Sequence, residues 1–300
     1  MGKVSAKAKA VAAALPKVRL PGAAASSDLP ASLIPLGGEV DTSLVLPKPH
    51  LSYSAVSMYL LCSKQYEYRY IKDLKEPPAV SLEFGKSGHE ALEFNNKYKH
   101  ETGSDLKAKV VQEKFADEFT TRKKEIKNWD GEDQHTAYDK HIKIGKALVE
   151  KYMKDLAPGL TPEHEPEKEK NVVINGVPMK MYIDLTTKAV VNDYKFVKKA
   201  KSEKDVKNSL QLWIYGTVEK KSQGSFISLN KGNGGVVRHI QPITNRDKAW
   251  GAHIIKATAK AITAGVFFPR APDGLDSWKC QPKFCGFWAR CRGKSTGKFI

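Results

Sequence analysis

The chain has 300 residues, 41% hydrophobic and 9% aromatic, enough to bury the core of one large domain. No apolar run approaches the roughly 18 to 20 residues of a spanning helix, and the start lacks the continuous apolar core of a secretory signal, so a membrane protein and a disulfide framework are set aside. The formal charge of +17 points to an anionic partner, with nucleic acid the commonest soluble one and a merely solvated basic surface the plain alternative.

Residues 1–50 are rich in Ala, Pro, Ser and Gly without a sustained period, the composition of a disordered leader. They hold five Lys and one Arg against three acids, so the rest of the chain keeps a surplus of fourteen (17 less 3). Order is expected from His50-Leu51-Ser52, with Ser52 or Ser54 capping a helix to about Tyr70 that Pro77-Pro78 stops. A second helix is expected from near Glu83, followed by Lys-rich amphipathic helices at about 105–127 and 134–156. Pro158-Gly159 and Pro162 close this helical half.

Strand patterning follows. Segments 171–174 and 177–185 flank Asn175-Gly176, a two-residue hairpin signal, and a third strand is expected over 189–196. Ser202 caps a helix through about Lys221, two strands are expected at 225–229 and 236–240, and Thr244 with Asp247 opens a helix to about Ala264. The order predicts an α+β or three-layer α/β domain: a helical part at about 51–160, a strand-bearing core at about 165–264, a Cys-rich closing segment at 265–292 and a basic tail at 293–300.

Within the strands, Asp184 ends an apolar run, and Asp193 and Lys195 lie two apart, so their side chains share one face. Such charges among apolar strands must be exposed, paired or metal-bound. Two carboxylates suit a hard cation such as Mg²⁺ or Mn²⁺, and a lysine beside them can orient water or stabilise charge on a phosphate. Taken alone, Asp193 and Lys195 equally suit a surface salt bridge. His89 and Glu93, in Gly85-Lys86-Ser87-Gly88-His89-Glu90-Ala91-Leu92-Glu93, share a helix face, as do Gln211 and Tyr215. A neutral imidazole can complete a Mn²⁺ or Mg²⁺ shell.

In this order, Gly85 to Glu93, Asp184, Asp193-Tyr194-Lys195 and Gln211 to Tyr215 resemble the motif series of RecB-type nucleases in the PD-(D/E)xK superfamily, over roughly residues 50–292. Met181 stands where that family commonly has Gly. The resemblance implies an α/β core with a mixed central sheet flanked by helices, and a metal held by His89, Asp184, Asp193 and the Tyr194 carbonyl. It makes Lys195 the residue that positions the attacking water, with Gln211 orienting the site and Tyr215 contacting the nucleic-acid backbone. The substrate would be DNA, single-stranded or with free ends, cut as an exonuclease with 5′ to 3′ polarity in the cytoplasm of a bacterium or a phage-infected cell. A weak or inactive DNA-binding adaptor is the alternative.

Cys62 precedes this core, and Cys280, Cys285 and Cys291 follow it. Four thiolates can hold a [4Fe–4S] cluster or a zinc ion, or stand as unrelated buried thiols. The arrangement resembles the AddB-like and CRISPR-associated iron–sulfur branch of the same family, which implies a cluster closing the chain ends. The four residues between Cys280 and Cys285 exceed the family's usual two. Phe268, Arg270, Trp278, Trp288 and Arg290 are candidates for tracking phosphates and stacking bases, whereas Trp213 and Phe267 are expected in the core.

Overall fold

The computed structural model describes residues 36–76, 78–270, 277–282 and 284–292, so most of the expected leader and the 293–300 tail lie outside the described residues. Within them, packing begins before His50. Leu36 bridges Ile174, Leu36, Leu44 and Leu46 pack on the core, and Asp41 pairs with Lys256.

The entry helix is interrupted. Helix α1 (Tyr53–Leu61), capped by Ser52, stops at Cys62, whose extended φ of −163° breaks the turn. Helix α2 (Ser63–Tyr66) and a π-helical turn (Glu67–Ile71) continue to the expected end. Helix α3 (Val80–Thr102) starts slightly before Glu83, and Gly103 ends it in the left-handed region. Helices α4 (Ala108–Arg122) and α5 (Gln134–Asp155, capped by Asp133) complete the helical part.

Strands β1 (Lys170–Ile174) and β2 (Val177–Met181) form an antiparallel pair. The turn between them has positive φ at both Asn175 and Gly176, as a type I′ hairpin requires. The expected 177–185 strand divides here. Chain after Met181 bends away, and β3 (Leu185–Thr186) joins a second sheet beside β4 (Val190–Val197). That sheet runs β3-β4-β5-β6, with β5 (Gln223–Asn230) parallel to β4 and β6 (Val236–Pro242) antiparallel to β5, so it is mixed as expected. The 202–221 helix also divides. Ser202 caps α6 (Glu203–Lys207) through a capping box, and Ser209 caps α7 (Leu210–Val218). Helix α8 (Asn245–Thr263) carries the Thr244–Asp247 capping box, and α9 (Trp288–Cys291) closes the described chain.

Alternation along β4 separates two cores. Val191 faces a core shared with Val56, Leu212 and Ile255, where Met181 is also buried; Tyr194 and Phe196 face another with Phe84, Phe115 and Tyr152. The sheet therefore lies between helical layers, the arrangement that covers both faces of a mixed sheet.

Candidate active site

The site forms where α3 crosses β4. At Gly88 an added Cβ would lie 2.2 Å from Cζ of Phe196, so glycine lets that ring press on the helix and draws the next residue, His89, to the sheet. The His89 and Phe196 rings lie 5.7 Å apart. Asp184 sits in the bend between β2 and β3, almost fully buried, with Oδ2 3.3 Å from Nδ1 of His89. The same oxygen accepts the Tyr194 backbone N–H at 2.6 Å, which fixes the carboxylate against β4 and lays the Tyr194 peptide along the site. The Tyr194 side chain points the other way, its hydroxyl bonded to Tyr152 and Asn96.

Asp193 and Lys195 share the opposite strand face, as the period of two requires, with Nζ 2.7 Å from Oδ2. Gln211 links them. Its amide donates to Asp193 Oδ1 at 2.5 Å and to the Tyr215 hydroxyl at 3.1 Å, while its carbonyl oxygen accepts from Lys195 at 2.9 Å. Helical spacing of four puts Gln211 and Tyr215 together, and the Ser209 cap fixes the turn they start from.

Glu167 joins this group without any motif to announce it. It lies in the loop before β1 at a φ of 56°, uncommon for a residue with a side chain, and its N–H donates to the Ile183 carbonyl. This backbone bond sets the carboxylate beside Asp184. His89, Glu167 and Asp184 each offer a ligand atom within 4.8 Å of the others, the only such group among the described residues. Asp193, expected as a ligand, is outside it and engaged by Lys195 and Gln211. Glu93, on the His89 face, pairs with Lys97.

Crowding shows in the protonation states. Burial lowers the His89 pKa, but the Asp184 carboxylate more than reverses this and lifts it to about 9. Burial and the Asp184 charge push Glu167 up to about 9 as well. Burial would raise Asp184, yet His89, Glu167 and the Tyr194 N–H together hold it below its ordinary range. Burial pushes Asp193 up to about 6 against the pull of Lys195. Burial would lower Lys195, yet Asp193 outweighs it and keeps the ammonium protonated. Protons thus sit where a cation would neutralise the acids. One imidazole nitrogen and two carboxylates this close suit a hard divalent ion bound at about 2.0 to 2.2 Å. An open cleft of about 450 Å³ gives solvent access to His89, Glu167, Tyr194 and Lys195.

A family model described as the PD-(D/E)XK nuclease superfamily matches residues 50–292. The chain belongs to that superfamily. Members use divalent metals to cut nucleic acid, so this protein is a metal-dependent nuclease whose fold implies a DNA substrate. Two solved structures are similar. One is a candidate exonuclease from Eubacterium rectale, 11% identical over 78% of this chain and 88% of its own, with a TM-score of 0.48. The other is the protein SSO0001, 16% identical over 80% of this chain and 98% of its own, with a TM-score of 0.33. No curated protein matches the sequence. None of the described helices is long and apolar enough to cross a membrane.

The four cysteines of the nuclease are free, partly buried and line one small cavity with Tyr68, Phe287 and Trp288, although no three bring their sulfurs within 4.8 Å. Burial pushes the Cys285 thiol up to about 11 and raises Cys291. As expected, Trp213 and Phe267 pack on the core, whereas Phe268 and Trp278 are at least half exposed.

Proposed function

We propose that the protein is an exodeoxyribonuclease acting on single-stranded DNA or DNA ends, with 5′ to 3′ polarity, in recombination or repair, and that it belongs to the RecB-like, AddB-like branch common in phages. The observation that carries the reading is the junction of the His89–Glu167–Asp184 group with the Asp193–Lys195–Gln211 network along β4. His89, Asp184 and Glu167 hold the divalent ion, with Asp193 and the Tyr194 carbonyl as the further oxygen donors the motif resemblance implies. When bound, the ion supplies Lewis acidity and lowers the pKa of water.

The side chains divide the remaining work. Lys195, kept cationic by Asp193, orients the attacking water and opposes negative charge developing on the phosphoryl oxygens. Gln211 holds Asp193 and Lys195 in register; the motif resemblance implies a nucleic-acid backbone contact for Tyr215, whose buried hydroxyl accepts from the Gln211 amide here. The water oxygen bonds to phosphorus, the ester P–O bond breaks, and the products are a phosphate end and a hydroxyl end. End-labelled single- and double-stranded DNA, incubated with Mn²⁺, Mg²⁺ or EDTA, tests this directly. Label release from linear single strands in metal but not EDTA is expected, with circles resistant; cutting of circles makes the enzyme an endonuclease, and no cutting in either metal rejects the reading.

Cys62, Cys280, Cys285 and Cys291 are proposed to hold a [4Fe–4S] cluster. Their common cavity supports this, and four thiolates are the ligand set such a cluster takes. Anaerobically purified protein should contain iron and sulfide; stoichiometric zinc without iron would overturn the assignment.

A further inference from the structure

The first turns of α3 connect the metal-site cleft to a second, larger groove. Leu82 and Lys86 line both, and Lys86 lies one turn before His89 on the same helix. The second groove, about 850 Å³, runs between the π-helical turn, residues 73–76 with Pro78 and Ala79, and Pro282, Phe284 and Gly286 of the closing segment. Its cations are Lys48, Arg69, Lys75, Lys86 and Lys127; its acids are Asp73 and Glu76. Glu76 is already occupied, accepting the Gly286 N–H at 2.7 Å and approaching Arg69 at 4.0 Å. Lys75 and Lys127 are exposed and make no ion pair with another described residue. Apolar surface is interleaved with this charge: Leu82 is 51% exposed and Phe284 49%, the latter edge-on to Trp278.

We infer that the substrate leaves the metal centre along the Lys86–Leu82 face of α3 and lies as a single strand in this groove, its phosphates on Lys75, Lys86 and Lys127 and a base against Phe284. The inference rests on the nuclease reading and names the strand that the same site takes. Cations alone would serve a duplex, whose base faces are stacked inside. Cations alternating with an aromatic ring and an exposed leucine fit unpaired bases, which offer π-faces together with backbone charge. The groove wall is built for the task by contacts far apart in sequence. The Glu76–Gly286 bond and the packing of Tyr68 on Phe287, 5.5 Å between centroids, hold the closing segment against the π-helical turn.

The test uses the full chain, the double variant Lys75→Glu/Lys127→Glu, and Phe284→Ala, each checked for a wild-type melting profile. Binding of a fluorescent 20-nucleotide single strand is measured by anisotropy in EDTA over a salt series, with a blunt duplex of the same length as competitor. The double variant is expected to bind at least tenfold more weakly, with a salt slope shallower by about 1.4, the value for two lost phosphate contacts on a single strand. Phe284→Ala is expected to weaken binding about fivefold or more. In Mn²⁺, KM for the 20-mer rises in both variants. Wild-type affinity and KM in both variants overturn the groove, and stronger competition by duplex than by single strand overturns the choice of strand. Failure of the wild-type enzyme to cleave any DNA rejects the nuclease reading instead, and the anisotropy series still decides whether the groove binds a strand.

Discussion

Glu167→Gln separates a metal ligand from a loop residue that merely lies nearby. In the metal-free protein, burial and Asp184 hold Glu167 protonated at neutral pH, with a pKa of about 9, so an uncharged amide of the same size is close to a replica. Stability without metal should change by less than about 0.5 kcal/mol at pH 7. Metal binding is different, because a cation needs the carboxylate and the neutral imidazole. His89 also has a raised pKa of about 9, so loading the site near pH 7 expels two protons, one from each residue. The sign follows: affinity rises with pH and is lost as pH falls below about 9, by up to tenfold per unit for each proton expelled. The variant has only the His89 proton to release. Between pH 6.5 and 8.5 its Mn²⁺ affinity should fall behind wild type by a further factor of roughly 75, the change in the deprotonated fraction of a group with a pKa near 9. Titration calorimetry with Mn²⁺, in buffers of different ionisation enthalpy, reads both affinity and protons released. Equal pH dependence and equal proton release in the two proteins would refute Glu167 as a ligand.

Asp193→Ala and Lys195→Ala should each abolish Mg²⁺- and Mn²⁺-dependent cleavage while retaining wild-type circular dichroism; full activity in either purified variant removes that residue from the chemistry. Gly88→Ala places a methyl group into the Phe196 ring and should cost about 1 to 3 kcal/mol in denaturant unfolding, partly recovered by adding Phe196→Leu. Tyr194→Phe strips a buried hydroxyl from Tyr152 and Asn96, at about 1 to 3 kcal/mol, yet should leave cleavage near wild type, because the backbone of Tyr194 faces the site. Alanine at Cys62 or Cys285 should lower iron content and the unfolding midpoint together if the four thiols hold a cluster; an unchanged iron content would count against it.

What could be read from the sequence was governed by short-range geometry. A strand period of two places Asp193 beside Lys195, a helical spacing of four places Gln211 beside Tyr215, and Ser202 and Thr244 announce their helices because a cap and its N3 partner lie three residues apart. What could not be read depended on contacts between distant segments. Asp184 looks like a strand residue, but chain after Met181 changes sheets, so it occupies the bend. The helix break at Asn208 has no Pro or Gly to mark it; it becomes visible only through the Ser209 cap. Leu36, Leu44 and Leu46 sit in a segment whose composition reads as disordered, and they gain their place from core surface supplied elsewhere.

Glu167 is the sharpest case. It stands in the acid-rich run Glu163–Glu169 with Glu165 and Glu169, and nothing in type or spacing separates it from them. Glu163 instead pairs with Lys221, Glu165 with Lys168 and Glu169 with Lys180, ordinary ion pairs near the surface. Glu167 is distinguished by the bond from its N–H to Ile183, next to Asp184, and by a left-handed backbone that turns its side chain inward. Such a conformation costs of order 1 to 3 kcal/mol and persists only where the surroundings over-determine it. That the loop bears this cost at the one acid of its run that joins His89 and Asp184 is reason to place Glu167 with the metal ligands.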